Sequence, residues 1–227
     1  MTKKTRELTN LSPKITDIQK KIIDQYAAAN KTTKKQQIVL VGSSTTEIFP
    51  IETMQTENDL GLDYKIYNRG VRAMTTADLL KHMNTLIFDL EPSKVFINIG
   101  SNDMGFNISE TELLSNYDEI LTQIQTRLPH AKIYAMAYYP INTADDFGEE
   151  KQEHGKLFEY RSNKKYNAMS AKIKKIATQH GVEFINANAG LTDKNGNLRK
   201  SLTFDGAHML PQGEGYQIVF NNLKPYF

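Results

Sequence analysis

Short, mainly apolar segments alternate along the chain with longer segments in which apolar residues recur every three or four positions. The short segments are typical of buried β-strands and lie at 38–41, 64–67, 95–99, 133–137 and 182–185. The longer segments have the spacing of amphipathic helices and lie at 13–29, 76–90, 109–128, 156–180 and 212–222. Strands that alternate with helices of this length predict a parallel sheet covered by helices on both faces, an α/β fold.

The chain has no internal repeat and no linker rich in proline or glycine. Its 227 residues are enough for one domain with a substantial core, so we expect a single domain over 1–227. Residues 1–35 precede the first strand, and we expect them to form a helical extension packed on that domain. In a parallel sheet of this kind the ligand site lies at the carboxyl ends of the strands.

Composition excludes several classes of protein. Apolar residues make up 39% of the chain and charged residues 24%, as in ordinary soluble globular proteins. The net charge of +2 provides no basic surface for nucleic acid, and no apolar run is long enough to span a bilayer. Cysteine is absent, which rules out disulfides, thiolate metal ligands and a cysteine nucleophile. Without a signal peptide pattern at the N-terminus, the expected location is the cytoplasm.

Polar groups follow the predicted strands at the edge where a ligand site is expected. They are Gly42-Ser43-Ser44, Asn68-Arg69-Gly70 and Gly100-Ser101-Asn102-Asp103, with Asp205-Gly206-Ala207-His208 near the C-terminus. Each group alone has an ordinary structural interpretation as a tight turn, a helix cap or a surface turn. Their joint placement favours chemistry, because the parallel sheet brings the first three together.

Together these groups contain the parts of an acyl-transfer site. A serine attacks a carbonyl only when a base takes its proton, and histidine is the side chain suited to that task. A carboxylate such as Asp205 would hold the tautomer of His208. The oxyanion that forms needs N–H donors, which the side chain of Asn102 and the backbone at Gly70 could provide.

The sequence resembles the SGNH-hydrolase (GDSL esterase/lipase-like) superfamily. The four polar groups match the family's motifs in order and span 38–216. The resemblance implies a three-layer α/β/α sandwich of about five parallel strands in flavodoxin-like order. It implies Ser44 as nucleophile, His208 as general base and Asp205 as the orienting carboxylate. It also implies an oxyanion hole made by the backbone N–H groups of Ser44 and Gly70 and the side chain of Asn102, with no metal ion and no organic cofactor.

Two features depart from the family pattern. Ser43 stands where the family usually has aspartate, just before the nucleophile, so that Ser43 is the alternative to Ser44. The stretch after His208, residues 209–216, is about two residues longer than the usual spacing.

The function expected from these observations is that of a serine esterase acting on short-chain O-acyl esters, most simply acetyl esters, of sugars or small alcohols. No large apolar insertion is present to hold a long acyl chain. A lysophospholipase or thioesterase of the same family is the alternative enzyme, and a catalytically silent binding domain is the alternative outside enzymes.

The partner predicted is a small-molecule ester, with neither nucleic acid nor membrane, and the oligomeric state, a homo-oligomer included, is left open. Segment 140–158 follows the fourth strand and is either a solvated loop or a partial lid over the site.

Overall fold

A five-stranded parallel sheet forms the middle layer of the protein. The computed structural model describes residues 3–10, 12–57, 59–148 and 151–227. The strands are β1 (Ile38–Gly42), β2 (Ile66–Gly70), β3 (Lys94–Asn98), β4 (Lys132–Met136) and β5 (Glu183–Ile185). Their order is β2-β1-β3-β4-β5, and every neighbouring pair is parallel. This is the flavodoxin-like order, and the predicted fold class is confirmed.

Helices make up most of the chain between the strands. They are α1 (Lys3–Leu8), α2 (Ile15–Asn30), α3 (Ser44–Glu47), α4 (Ile51–Glu57), α5 (Thr76–Leu86), α6 (Ser101–Gly105), α7 (Glu110–Arg127), α8 (Lys151–Phe158), α9 (Asn163–Gln179) and α10 (Glu214–Leu223). Single 3₁₀ turns lie at Phe88–Leu90, Lys200–Leu202 and Lys224–Tyr226. None of the described helices is both long and apolar enough to cross a membrane.

Two hydrophobic clusters pack on opposite faces of the sheet, because successive side chains of a strand point to opposite sides. In β1, Val41 belongs to the first cluster and Leu40 to the second. Apolar residues of α5, α7 and α9 complete the first cluster, and those of α4 and α10 contribute to the second. The sheet is thus the middle of three layers. Because all five strands are parallel, their carboxyl ends lie at one edge of the sheet.

The region before β1 packs against the first of these faces. Tyr26 on α2 contacts the first cluster, and its hydroxyl donates to the carbonyl of Gly70, 2.8 Å away. Further toward the N-terminus, Arg72 donates to the carbonyl of Glu7 across 3.0 Å. Helices α1 and α2 thus lie beside the end of β2. Residues 1, 2 and 11 of the expected extension lie outside the described part of the chain.

Strand β2 lies further along the chain than the apolar pattern predicts, and includes polar residues that are buried. The guanidinium of Arg69 donates to the side-chain oxygen of Asn30 at 2.8 Å and 3.2 Å. It also lies over the ring of Tyr26, 4.7 Å from the centroid. These contacts satisfy a cation that is only 3% exposed, so the strand can continue through Asn68 to Gly70 in register with β1.

The helix predicted over 156–180 is two helices. Helix α8 ends at Phe158, and α9 begins after Ser162, whose hydroxyl accepts from the N–H of Lys165 at 3.2 Å. An N-cap of this kind satisfies a backbone donor that a continuous helix would have bonded internally. The break places Arg161 between the two helices.

Candidate active site

Ser44 begins the short helix that follows β1. Helix α3 starts only two residues after the strand ends at Gly42, and Ser43 between them is extended, with φ −96° and ψ −151°. Ser44 is therefore in the first turn, where backbone N–H groups have no partner within the helix. Its side chain is 5% exposed and points into a cavity at the carboxyl ends of the strands.

Asp205 and His208 lie on a loop that its own hydrogen bonds hold in shape. A bridge pairs Thr203 with Met209 across the loop. The hydroxyl of Thr203 donates to the carbonyl of His208 at 2.6 Å and accepts from the N–H of Gly206 at 2.9 Å. Both side chains turn inward: Asp205 is 0% exposed and His208 is 4% exposed.

Three side chains are hydrogen-bonded in series. The Oγ of Ser44 lies 2.9 Å from Nε2 of His208, and Nδ1 of His208 lies 2.7 Å from Oδ2 of Asp205. If Nδ1 carries the proton, as its contact with a carboxylate favours, Nε2 is free to accept from the serine. The hydroxyl that meets His208 is that of Ser44, the residue favoured over Ser43 from the sequence.

The carboxylate of Asp205 has more partners than His208 alone. Oδ1 accepts from the N–H groups of Ala207 at 2.9 Å and His208 at 2.7 Å. Oδ2 also accepts from the hydroxyl of Thr5, 2.8 Å away on α1. Burial alone would raise the pKa of Asp205, but the charge of His208 and the hydrogen bonds from His208 and Ala207 hold it below the usual value. Asp205 is thus kept as the anion that an orienting group must be.

This pKa shift predicts how stability depends on pH. The pKa of Asp205 is lower in the folded chain than in the unfolded one, where it is about 3.9. The carboxylate therefore stabilises the fold above that value, and the stabilisation is lost as pH falls through the lower, folded pKa. We expect the difference in free energy of unfolding between the wild type and Asp205→Asn to shrink as pH falls from about pH 5 through the folded pKa, as measured by urea unfolding.

Asp103 provides a matched control for that measurement. It is also 0% exposed, but burial raises its pKa more than the hydrogen bonds from Thr76 lower it. A raised pKa has the opposite effect on stability. The ionised carboxylate destabilises the fold near neutral pH, and this destabilisation disappears as pH falls through the raised pKa. The Asp103→Asn variant should change the slope of stability against pH in the opposite direction to Asp205→Asn. If the two variants change the slope of stability against pH in the same direction, the opposite pKa shifts assigned to Asp205 and Asp103 are contradicted.

The side-chain amide of Asn102 is held in one orientation beside this series. Asn102 lies in α6, directly after β3, and lines the same cavity as Ser44. Its Nδ2 donates to the carbonyl of Met74 at 3.0 Å, and its Oδ1 accepts from Nη2 of Arg161 at 3.1 Å. An amide nitrogen carries two hydrogens, so one remains to donate into the cavity. The N-cap of α6 is Gly100, so Asn102 does not cap its helix.

Gly70, expected as a second backbone donor, has its N–H directed elsewhere. That N–H donates to Oδ1 of Asn68 at 2.8 Å. A Cβ at this position would lie 2.1 Å from the N of Glu47, so the missing side chain makes room for the backbone of α3.

Ala73, three residues further on, has the free donor that Gly70 lacks. Its N–H has no hydrogen-bond partner within the described part of the chain. Its φ of +56° is uncommon for a residue with a side chain, and it is 3% exposed. The next residue, Met74, is the one whose carbonyl binds Asn102. Sequence reasoning missed Ala73, because an alanine gives no sign that its backbone has a positive φ.

The cavity in front of Ser44 is small, and both polar and apolar side chains line it. Its volume is about 30 Å³, whereas one water molecule needs about 10–15 Å³ by the same kind of measure. Its lining includes Tyr138, Tyr139, Ile141, Leu157, Tyr166 and Ala207. The space therefore suits a group of two or three heavy atoms rather than a chain.

Sequence reasoning missed the side chains of Thr5 and Arg161 at the site, as it missed the backbone of Ala73. Thr5 binds Asp205, and Arg161 binds Asn102 and lines the cavity. Thr5 lies in a polar stretch with no motif, and Arg161 lies in a segment read as the interior of a helix. Only the tertiary structure brings them to the strand ends.

Part of segment 140–158 packs against the site and is not exposed to solvent. The N–H of Asn142 donates to the carbonyl of Gly206 at 2.7 Å, and its side chain is 0% exposed. Ile141 and Leu157 line the cavity. The solvated-loop reading is therefore wrong for these residues, while movement of the segment as a lid stays a prediction. Residues 149 and 150 lie outside the described part of the chain.

The fold and the site together define a class of protein. It is an α/β/α sandwich of flavodoxin-like order with serine, histidine and aspartate in hydrogen-bonded series at the strand ends. The chain belongs to the GDSL-like lipase/acylhydrolase family, whose family model matches residues 40–218. The resemblance seen in the sequence is therefore confirmed, and membership of this family supports hydrolysis of carboxylic esters.

Solved structures share the fold over nearly the whole chain. A protein from Streptococcus pneumonia, whose description names platelet activating factor, has 28% identity and a TM-score of 0.81, covering 95% of each chain. A GDSL-like lipase from Bacteroides thetaiotaomicron has 20% identity and a TM-score of 0.71, covering 90% of this chain and 96% of its own. An acetyl xylan esterase has 20% identity and a TM-score of 0.63, covering 84% and 98%. A search of curated proteins found no match.

Proposed function

We propose that the protein is a serine esterase that removes short acyl groups, most simply acetyl, from the hydroxyls of sugars or small alcohols. The observation that carries the proposal is the series Ser44–His208–Asp205, with contacts of 2.9 Å and 2.7 Å, at the mouth of a cavity of about 30 Å³. Hydrogen-bonded contact between a serine and a histidine, with the histidine oriented by a third group, is the arrangement that activates a serine nucleophile.

The reaction follows from the positions of these groups. As Oγ of Ser44 bonds to the ester carbonyl carbon, Nε2 of His208 takes the hydroxyl proton, and the carbonyl oxygen becomes negative. The imidazolium is stabilised by the carboxylate of Asp205. When the intermediate collapses, the bond to the alcohol oxygen breaks and His208 gives that oxygen the proton. Water, deprotonated by His208, then attacks the acyl-enzyme. When this second intermediate collapses, the bond to Oγ of Ser44 breaks, His208 returns the proton to Oγ, and the acid is released.

Three N–H donors would surround the negative oxygen. The backbone N–H of Ser44 is in the first turn of α3, and Nδ2 of Asn102 has one hydrogen directed away from Met74. For the remaining donor we replace Gly70 by Ala73, since the N–H of Gly70 is already bonded to Asn68. Donors that are fixed before the reaction stabilise the intermediate without having to reorganise.

The size of the cavity supports a short acyl group. About 30 Å³ bounded by Tyr139, Ile141 and Leu157 accommodates the methyl of an acetyl group, but a long chain would need those side chains to move. The name of one structural neighbour, an acetyl xylan esterase, points to the same class of substrate. The alternative of a lysophospholipase or thioesterase requires an extended apolar groove.

A series of 4-nitrophenyl esters with acyl chains from two to twelve carbons tests the proposal. We expect kcat/KM to be highest for the acetate and to fall steeply beyond about four carbons, because each further methylene must displace packed side chains. A maximum at eight carbons or more would favour the lysophospholipase or thioesterase. No turnover of any ester, together with no labelling of Ser44 by a fluorophosphonate, would favour the silent binding domain.

The Asn102→Ala variant tests the oxyanion role directly. Its amide acts on an oxygen that is fully negative only in the intermediate, so kcat should fall about 10²–10³-fold with little change in KM. Labelling of Ser44 by a fluorophosphonate should slow but persist.

Ser109→Ala is the matched control for Asn102→Ala. The hydroxyl of Ser109 caps α7 by accepting from the N–H of Glu112 at 3.1 Å, and Ser109 is not among the residues that line the cavity. Its removal should cost about 1 kcal/mol of stability and leave kcat unchanged. If Asn102→Ala behaves like this control, destabilised but fully active, Asn102 has no oxyanion role.

A further inference from the structure

Arg161 is a buried cation at the wall of the candidate active site. Its side chain is 9% exposed, although arginine is seldom buried without a charged partner, and it lines the cavity with Ser44 and His208. It belongs to the turn between α8 and α9, where the sequence pattern indicated an uninterrupted helix. None of the steps described above uses it.

The partners of Arg161 are neutral. Nη1 donates to the carbonyl of Leu157 at 2.6 Å, Nη2 donates to Oδ1 of Asn102 at 3.1 Å, and the guanidinium lies 5.9 Å from the ring centroid of Phe106. It is also hydrogen-bonded to the side chain of Tyr166, a neutral phenol whose pKa is raised by burial. Within the described ranges, no carboxylate lies at ion-pair distance from it. A buried cation without a counter-ion costs free energy, so its retention calls for a compensating role.

The chain leaves space for this guanidinium beside Asn102. A Cβ on Gly105 would lie 2.0 Å from both Cζ and Nη2 of Arg161, so a side chain at position 105 would displace the group. Asn102 and Gly105 are three residues apart on α6 and therefore share one face of the helix. That face is shaped to receive the guanidinium and to bring it onto the amide oxygen of Asn102.

We propose that Arg161 is a positioning residue for the oxyanion hole, acting through Asn102; this rests on the esterase function proposed above. The donor of Arg161 and the acceptor of Met74 bind opposite ends of the amide, so both disfavour the flipped amide that would turn Oδ1 toward the substrate. A charged donor on Oδ1 also polarises the amide and strengthens its N–H as a donor.

Arg161→Met, made alone and together with Asn102→Ala, tests this link. Alone, it should lower kcat for the acetate ester about 10–100-fold with KM nearly unchanged, since a donor displaced by about 1 Å costs that much. In the Asn102→Ala background it should lower kcat less than about twofold, because the group through which it acts is gone. Arg161→Lys, which keeps a charged donor without the fork that also reaches Leu157, should give an intermediate kcat.

Lys165→Met is the matched control, because it removes a nearby cation from the exposed first turn of α9 and should leave kcat unchanged. Equal losses of kcat from Arg161→Met in both backgrounds would overturn the proposal. A rise in KM with unchanged kcat would overturn it too. If Arg161→Met does not fold, Arg161→Gln takes its place, since it keeps a neutral donor and should show the same dependence on Asn102.

The rate of fluorophosphonate labelling of Ser44 separates this proposal from the function on which it rests. The reagent places a phosphonyl oxygen in the oxyanion hole whatever the natural substrate is. A wild type that is not labelled contradicts the esterase function and, with it, the role of Arg161. A wild type that is labelled, with Arg161→Met labelled equally fast, contradicts the role of Arg161 alone.

Discussion

Replacing Ser44 by alanine should abolish ester hydrolysis and labelling by a fluorophosphonate. No other described hydroxyl is hydrogen-bonded to the ring of His208, so the variant retains no activated nucleophile. We expect kcat on 4-nitrophenyl acetate to fall by at least about 10⁴-fold, with the residual rate due to binding and the oxyanion donors alone. Circular dichroism and the unfolding midpoint should match the wild type, because only one buried hydroxyl is removed.

Ser43→Ala is the matched control for that experiment. Ser43 is the neighbouring serine, is also buried, and precedes α3 without capping it through its side chain. The variant should keep the fluorophosphonate label and most of its activity. If a folded Ser43→Ala protein loses the label while Ser44→Ala keeps it, the nucleophile is Ser43 and not Ser44.

Replacing Asp205 by asparagine should lower kcat by about 10⁴-fold while leaving the loop in place. The variant keeps the size of the side chain, but an amide at 2.7 Å from Nδ1 of His208 can donate to it and favour the tautomer with the proton on Nε2. That tautomer cannot accept from Ser44. Steady-state kinetics should show the loss in kcat, and labelling of Ser44 should slow in parallel.

Asp103→Asn is the control for the loss of a buried carboxylate near the site. Asp103 is next to Asn102 in sequence, but its oxygens accept from the backbone N–H of Thr76 at 3.0 Å and 3.2 Å rather than from His208. We expect a much smaller loss of kcat from this variant. Equal losses from the two variants would mean that Asp205 acts through local packing rather than through the tautomer of His208.

The sheet and most of the proposed site could be predicted because both depend on local patterns. A short apolar run followed by Gly-Ser-Ser marks the strand and the residue at its end without reference to the rest of the chain. Parallel strands then bring such ends together, which places Ser44 and Asn102 at one edge of the sheet. His208 was found from the Asp-x-x-His motif and the family resemblance instead. The hydrogen bonds of these three residues agree with this placement.

The residues that escaped prediction depend on contacts between distant parts of the chain. Gly70 was expected to bring its backbone N–H close to the oxyanion, but the sequence does not show that the backbone of α3 lies against this glycine and that Asn68 accepts from its N–H. Arg161 was read as one turn of a basic helix, because apolar residues continue at helical spacing on both sides of the break. Its partner Asn102 is 59 residues away.

The hydrogen bond from Thr5 to Asp205 joins residues 200 positions apart, and that from Ser44 to His208 joins residues 164 apart. Contacts of such long range form late in folding, since the entropy of closing a large loop is lost before they stabilise anything. During synthesis, Thr5 and Ser44 leave the ribosome long before their partners. A nascent chain that has already formed β1 to β4 thus has an unpaired Ser44, and the hydrogen-bonded series of Ser44, His208 and Asp205 can form only after residues 205–208 have emerged.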